Sequence, residues 1–124
     1  MDIIISNSSG KPIYEQITTQ IKGMILSGVL KQGEALPSMR LLAKELRISV
    51  ITTKRAYEDL ERDGFIETVV GKGSFVAARN MQLLREEQLK EIEHYLQEAV
   101  NAAVAGGVSL KEMQEMLALL YKEE

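Results

Sequence analysis

The chain has 124 residues, of which 45% are apolar, and a formal net charge of -3. This length suits one domain of ordinary size, or a small domain with an appendage too short to fold alone. The chain has no cysteine, which excludes a disulfide framework, thiolate metal sites and enzymes that depend on a cysteine nucleophile.

The charge is distributed unevenly along the chain. Residues 1–80 hold eleven Lys and Arg against nine Asp and Glu, whereas residues 81–124 hold four against nine. Five of the basic residues fall between positions 36 and 56, where there is one acidic residue. A local basic patch on an acidic chain indicates a polyanionic partner, although a charged run is more often a solvated surface.

The N-terminus, MDIII, lacks the apolar region of a signal peptide, and no segment reaches the roughly 18 apolar residues that a membrane span needs. We therefore expect a soluble, cytoplasmic protein without a membrane partner.

Residues 13–27 have the apolar period of a helix that faces a core. Pro12 suits the start of this helix and Gly28 its end, and the apolar face is formed by Ile13, Ile17, Ile21, Met24 and Ile25. The segment that follows contains Gly33 and Pro37, which predict a loop with a short strand at residues 34–36.

Two capped helices separated by a tight turn are predicted next. Ser38 is an N-cap candidate for a helix of about two turns, and the pattern pauses at Arg47 before Ser49 offers a second N-cap. The second helix extends to Gly64, with an inward face of Thr53, Ala56, Tyr57 and Leu60. This arrangement predicts a helix-turn-helix.

A strand-like pattern replaces the helical one after Gly64. The runs FIETVV and SFVA flank Gly71, Lys72 and Gly73, which predicts a β-hairpin with glycines at its tip. Three helices followed by a hairpin make a winged helix. We therefore predict a mainly α fold with a small β-hairpin, in which residues 1–80 form a winged helix-turn-helix domain.

Residues 81–124 carry two further helical patterns, with Gly106-Gly107 between them and Ser109 and Glu112 as a capping box. Two helices alone cannot bury two apolar stripes, so the tail packs either on the N-terminal domain or, as we favour, on a second copy as a dimerisation domain. The stripe residues are Leu84, Leu89, Ile92, Leu96, Ala99, Ala103, Leu110, Met113, Leu117 and Leu120.

The start of the second helix of the helix-turn-helix is the candidate DNA-reading surface, because such helices contact base edges near their N-termini. Thr52 and Lys54 have the chemistry to reach bases or phosphates, and Val50 or Ile51 can contact a thymine methyl. The full candidate set comprises Ser38, Arg40, Ser49, Ile51, Thr52, Lys54, Arg55, Lys72 and Gly73.

No motif points to catalysis or to a cofactor. The fragment GKGS lacks the Ser or Thr that a P-loop requires directly after its lysine. His94 lies at helical spacing from Glu91 and Glu98, but on a polar face without a further ligand cluster, so we predict no metal site. No group of side chains offers a nucleophile with a base, and we predict that the protein is not an enzyme.

Several ordered motifs in residues 3–80 resemble the GntR family of bacterial transcription regulators. They are PIYEQI at 12–17, GxLKxGExLPSxRxLAxxL at 28–46, AYEDLERDGFIET at 56–68 and GKGSFV at 71–76. The short tail is similar to that of the YtrA subfamily.

The resemblance implies a homodimeric, winged-helix repressor of an operon that often encodes an ABC transporter, acting on a pseudo-palindromic operator in double-stranded DNA. It also implies operator contacts for Arg40, Lys54, Lys72 and Gly73. At Val50-Ile51 the chain departs from the basic residue or Asn-Pro of its relatives, so base preference does not carry over there. A small-molecule effector stays open, as does the alternative of a winged helix that binds only proteins.

Overall fold

The structure is a computed structural model that describes residues 1–78 and 81–123. It is mainly helical with one antiparallel β-hairpin, as predicted. The elements in chain order are α1 (Ile13–Leu26), α2 (Met39–Leu46), α3 (Val50–Arg62), β1 (Ile66–Val69), β2 (Gly73–Val76), α4 (Met81–Gly106) and α5 (Leu110–Glu123).

The chain divides into two compact units, Met1–Met81 and Gln82–Glu124. The expected boundary at residue 80 itself lies outside the described residues. Within the described ranges, no helix is both long and apolar enough to cross a membrane.

The core of the first unit forms where α1 and α2 pack against α3. From α1 it receives Ile17, Ile21 and Ile25, and from α3 it receives the predicted inward face. The apolar period read from the sequence therefore identified the buried face of α3 and three of the five residues expected for α1, because a helix in a domain this small has one side to bury. Ile13 and Met24 of the expected α1 face are half-buried, and the polar residues Gln16 and Thr18 are buried instead.

Two glutamines of α1 hold the N-terminal segment against the helix. The side-chain amide of Gln20 accepts from the backbone N–H of Ile4 at 2.9 Å and donates to its carbonyl at 2.7 Å. Gln16, one turn earlier, makes the same pair of bonds with Ser6 at 2.8 and 3.0 Å. Each amide thus satisfies both the backbone N–H and the backbone carbonyl of one residue of the N-terminal segment.

The helices of the first unit end in two different ways. α3 stops at Gly64, whose φ of +85° lets Phe65 N–H reach the Leu60 carbonyl at 2.9 Å. α2 stops at Arg47, which adopts φ 57° and ψ 46° although it is not a glycine. The sequence pattern indicated that the helical period pauses at Arg47, but it did not indicate that this residue has a left-handed backbone.

The hairpin pairs β1 with β2 in antiparallel register, Ile66 opposite Val76 and Val69 opposite Gly73. The strand expected at residues 34–36 is a single bridge between Ala35 and Phe75, on the other edge of β2. Backbone bonds from Leu36 N–H to the Ser74 carbonyl (2.9 Å) and from Val76 N–H to the Glu34 carbonyl (2.8 Å) flank this bridge.

In the second unit, α4 continues through Gly106, one residue beyond the expected stop, and Gly107 takes the positive φ of +73°. The Ser109 hydroxyl accepts from the Glu112 N–H at 3.2 Å, which is the predicted cap of α5.

Tyr57 is the largest side chain that is fully buried, with 1% of its surface exposed. Its hydroxyl donates to the Pro37 carbonyl at 2.7 Å. Burial, reinforced by the nearby negative charge of Glu45, raises the pKa of Tyr57 well above its ordinary value, so the hydroxyl stays protonated as a donor.

Replacing Tyr57 with Phe is expected to lower the free energy of unfolding by about 1–3 kcal/mol, because the Pro37 carbonyl would lose its side-chain donor in a partly buried place. Urea unfolding followed by circular dichroism measures the change. Tyr121→Phe is the matched control, since Tyr121 is 79% exposed and should change stability by less than about 0.5 kcal/mol. Equal stability of the two variants would contradict this role of the hydroxyl.

Candidate nucleic-acid interface

The N-terminus of α3 begins at a serine that caps it. The Ser49 hydroxyl accepts from the Thr52 N–H at 3.1 Å and is hydrogen-bonded to the Thr52 hydroxyl at 2.8 Å. The cap fixes the direction of the first turn, and because it uses the hydroxyl as an acceptor, the local geometry of Ser49 and Thr52 is set before any ligand arrives.

The first turn of α3 presents its two β-branched residues unequally. Ile51 is 81% exposed, whereas Val50 is 46% exposed and lies closer to the buried face. Thr52, one position later, is half-buried. Ile51 is therefore the most accessible of the three side chains at the position where a recognition helix meets base edges.

The two cations in the N-terminal half of α3 have neighbours within the domain. Lys54 Nζ lies 3.8 Å from Oε1 of Glu58, one turn later, and both side chains are exposed. The guanidinium of Arg55 stacks over the ring of Tyr14 from α1, with its Cζ 3.7 Å from the ring centroid. The stack joins α3 to α1, and sequence patterns missed it because the two residues are far apart in the chain.

The start of α2 repeats the capping arrangement. The Ser38 hydroxyl accepts from the Leu41 N–H at 3.1 Å, and Arg40 in the first turn is exposed. Lys44 and Arg47, which were outside the predicted site set, are exposed as well. Their sequence signal was the basic run between positions 36 and 56, which does not distinguish a binding surface from a solvated one.

Three consecutive residues join the elements that carry the candidate site. Leu36 N–H donates to the Ser74 carbonyl of β2, the Pro37 carbonyl accepts from Tyr57 of α3, and Ser38 caps α2. The segment from Leu36 to Ser38 thereby fixes the hairpin, α3 and the start of α2 relative to one another.

The tip of the hairpin carries Lys72 between Gly71 and Gly73, whose φ angles are +79° and +110°. The Lys72 N–H closes the turn on the Val69 carbonyl at 2.9 Å, and its side chain is exposed. The positive φ angles explain both glycines, since other residues adopt this backbone only at a cost.

The predicted dimerisation residues differ in exposure within the single chain. Leu84 and Ala103 are buried and Met113 is half-buried. The other seven are exposed, the larger ones by 43% to 71% of their surface: Leu89, Ile92, Leu96, Ala99, Leu110, Leu117 and Leu120.

Residues 13–76, which span α1 through the hairpin, match the family model of the bacterial regulatory proteins of the gntR family. The chain belongs to the GntR family. It is a transcriptional regulator with a DNA-binding domain, and not an enzyme.

Similar proteins extend the comparison to the tail. The transcriptional repressor YtrA of Bacillus subtilis (strain 168) is 36% identical over 115 residues, which cover 93% of this chain and 88% of YtrA. A transcriptional antiterminator from Listeria monocytogenes EGD-e has a similar crystal structure, with 36% identity, a TM-score of 0.77, and coverage of 98% of this chain and 90% of that one.

The DNA-binding domain of AraR, crystallised with operator ORX1, matches 62% of this chain and 96% of its own, with 25% identity and a TM-score of 0.55. A GntR-family domain of this fold thus binds operator DNA in that complex.

Replacing Ile51 with Ala is expected to weaken discrimination at one thymine-containing position by about 1 kcal/mol or more, and to leave stability unchanged because the side chain is largely exposed. Bound duplexes selected from a random pool give the base preference of each variant, and urea unfolding gives its stability. Val50→Ala is the matched control. It is expected to lower stability and to leave the base preference unaltered. The same preference in wild type and Ile51→Ala would count against base contact by this residue.

Proposed function

We propose that the protein is a homodimeric, sequence-specific repressor that binds a pseudo-palindromic operator in double-stranded DNA. The observation that carries the proposal is the start of α3, where a capped helix exposes Ile51 in its first turn and Lys54 directly after that turn. A helix start of this kind enters the major groove and contacts base edges.

The other candidate residues supply phosphate contacts around the groove. Arg40 carries an exposed guanidinium close to the N-terminus of α2, where backbone N–H groups also favour an anion. Lys72 at the hairpin tip suits a phosphate or the minor groove, because Gly73 lets the backbone come close. Ser38 accepts a hydrogen bond from Leu41 but keeps its own O–H as a donor for a phosphate oxygen.

The exposed stripe of α4 and α5 supports pairing with a second copy. Leucine and isoleucine side chains exposed by 43% to 71% of their surface at helical spacing would be costly in water, and a bundle formed with an identical tail would bury them. Two recognition helices related by a two-fold axis then require half-sites separated by about one helical turn, roughly 10 base pairs, or a multiple of it.

The similarity to YtrA of Bacillus subtilis, named a repressor, supports repression as the outcome of binding. The transporter operon expected from the family resemblance is the proposed target, with the cytoplasm as the compartment. Deleting the gene and sequencing the transcripts tests both points, since repression requires the target genes to rise and a fall would indicate activation.

Replacing Arg40 with Ala is expected to lower operator affinity by about 1–3 kcal/mol, because a charged and bidentate contact would be lost. Fluorescence anisotropy with the selected operator measures the affinity, and Lys90→Ala, which removes an exposed cation from α4, is the control. Binding of the Arg40 variant at the wild-type level would contradict the proposed contact.

Replacing Leu96 with Glu is expected to convert the dimer to a monomer, because the charge would have to be buried in the apolar stripe. Sedimentation velocity measures the change in mass. Gln97→Glu is the matched control: it adds the same charge on the adjacent, polar side of α4, where Gln97 donates to Asn101 at 3.0 Å, and should stay dimeric. A dimeric Leu96 variant would exclude this stripe as the interface.

A further inference from the structure

α2 presents basic side chains on its outward side. Arg40 and Lys44 are four residues apart and therefore share one face of the helix, while the buried residues Leu42 and Ala43 face the core. Arg47 follows at the residue where α2 ends, and all three cations are exposed. Positive charge thus extends along the full length of α2 and into the turn before α3.

These three cations differ from the other basic residues of the helix-turn-helix. Lys54 lies near Glu58, Arg55 stacks over Tyr14, and Arg62 pairs with Asp59 at 3.0 Å. Among the residues that the structure describes, none forms an ion pair with Arg40, Lys44 or Arg47. Their charge is therefore not neutralised by an ion pair within residues 1–78 and 81–123, although the exposed Glu45 lies on the same helix.

Arg47 has a left-handed backbone conformation that is unusual for an arginine, so the presence of arginine at this position is informative. Within residues 1–78 and 81–123, every other positive φ belongs to a glycine, and α1, α3 and α4 are each followed by one: Gly28, Gly64 and Gly107. A glycine would fit the end of α2 without strain, whereas arginine adopts the left-handed conformation at an energetic cost. A strained residue that keeps a long, charged and exposed side chain indicates a use for that side chain.

The first helical turn of α3 is uncharged, so positive charge beside it has to come from α2 and the turn between α2 and α3. Val50, Ile51 and Thr52 carry no charge, so the first turn of α3 has no cation of its own, and the nearest one on the helix, Lys54, lies 3.8 Å from Glu58. In a helix-turn-helix the preceding helix crosses the phosphate backbone. Cations on α2 and at its end are therefore the ones that can meet phosphates beside this uncharged turn.

We infer that Lys44 and Arg47, in line with Arg40, bind successive phosphates of one DNA strand and supply sequence-independent affinity that the first turn of α3 lacks. The inference rests on the proposed DNA-binding function and adds two phosphate contacts to it. The rise from Arg40 to Lys44 is about 6 Å for four helical residues, close to the separation of neighbouring phosphates on a strand. Arg47 then continues the row at the entrance of α3.

The experiment measures affinity for a mixed-sequence duplex by fluorescence anisotropy over a series of KCl concentrations, with Lys44→Ala, Arg47→Gly and Arg47→Lys. Lys44→Ala and Arg47→Gly should each bind about five- to tenfold more weakly near ~0.1 M salt, and each should reduce the slope of log affinity against log salt by about 0.9. Arg47→Lys keeps the charge and should keep most of the affinity and the slope. The same fold losses are expected on the selected operator, because phosphates carry no sequence information.

Two controls separate the outcomes. Lys90→Ala removes one exposed cation from α4 and should leave the slope unchanged. Arg47→Gly should unfold at the wild-type urea concentration or a higher one, because glycine adopts the left-handed backbone without strain. Weaker binding by Arg47→Gly therefore cannot be attributed to unfolding. Wild-type slopes for both Lys44→Ala and Arg47→Gly would overturn the inference while leaving the proposed function intact. Failure of the wild type to bind any duplex at low salt would overturn both.

Discussion

The hydrogen bond from Tyr57 to the Pro37 carbonyl holds together the elements that carry the candidate DNA-binding residues. It attaches the middle of α3 to a segment that is also bonded to β2 through Leu36 and that caps α2 through Ser38. Contacts with bases and phosphates need side chains placed to within a fraction of an ångström, and only rigid elements provide this. One buried phenol, kept protonated by burial, thus supports the relative positions of two helices and a hairpin.

α3 has a buried side and an exposed side, and the two sides contribute differently. The inward side, from Thr53 to Leu60, is buried and supplies the stability of the domain, whereas the outward side carries an exposed isoleucine and a partly neutralised lysine. The free positive charge lies on α2 and at its end instead. Under the proposed function, this arrangement would separate affinity, which phosphates supply, from base preference, which base edges supply.

The helices, their caps and the hairpin were predictable because each depends on residues close in sequence. Ser38 and Ser49 precede apolar periods, and Gly64 follows one, so local chemistry decides those boundaries. The stack of Arg55 on Tyr14 and the bond from Tyr57 to Pro37 were not predictable, since they join residues about 20 or more positions apart. Arg47 was missed because the left-handed region is normally signalled by glycine.

The exposure of Ile51 has an evolutionary consequence. Since this side chain contributes little to the core, its replacement costs the fold little, and the neighbouring cap at Ser49 keeps the helix start unchanged. Under the proposed base contact, a duplicated copy of the gene would acquire a new base preference through a single codon change without a loss of stability to be repaired elsewhere. Regulators built in this way would diverge within one genome while the buried side of α3 stayed constrained by folding.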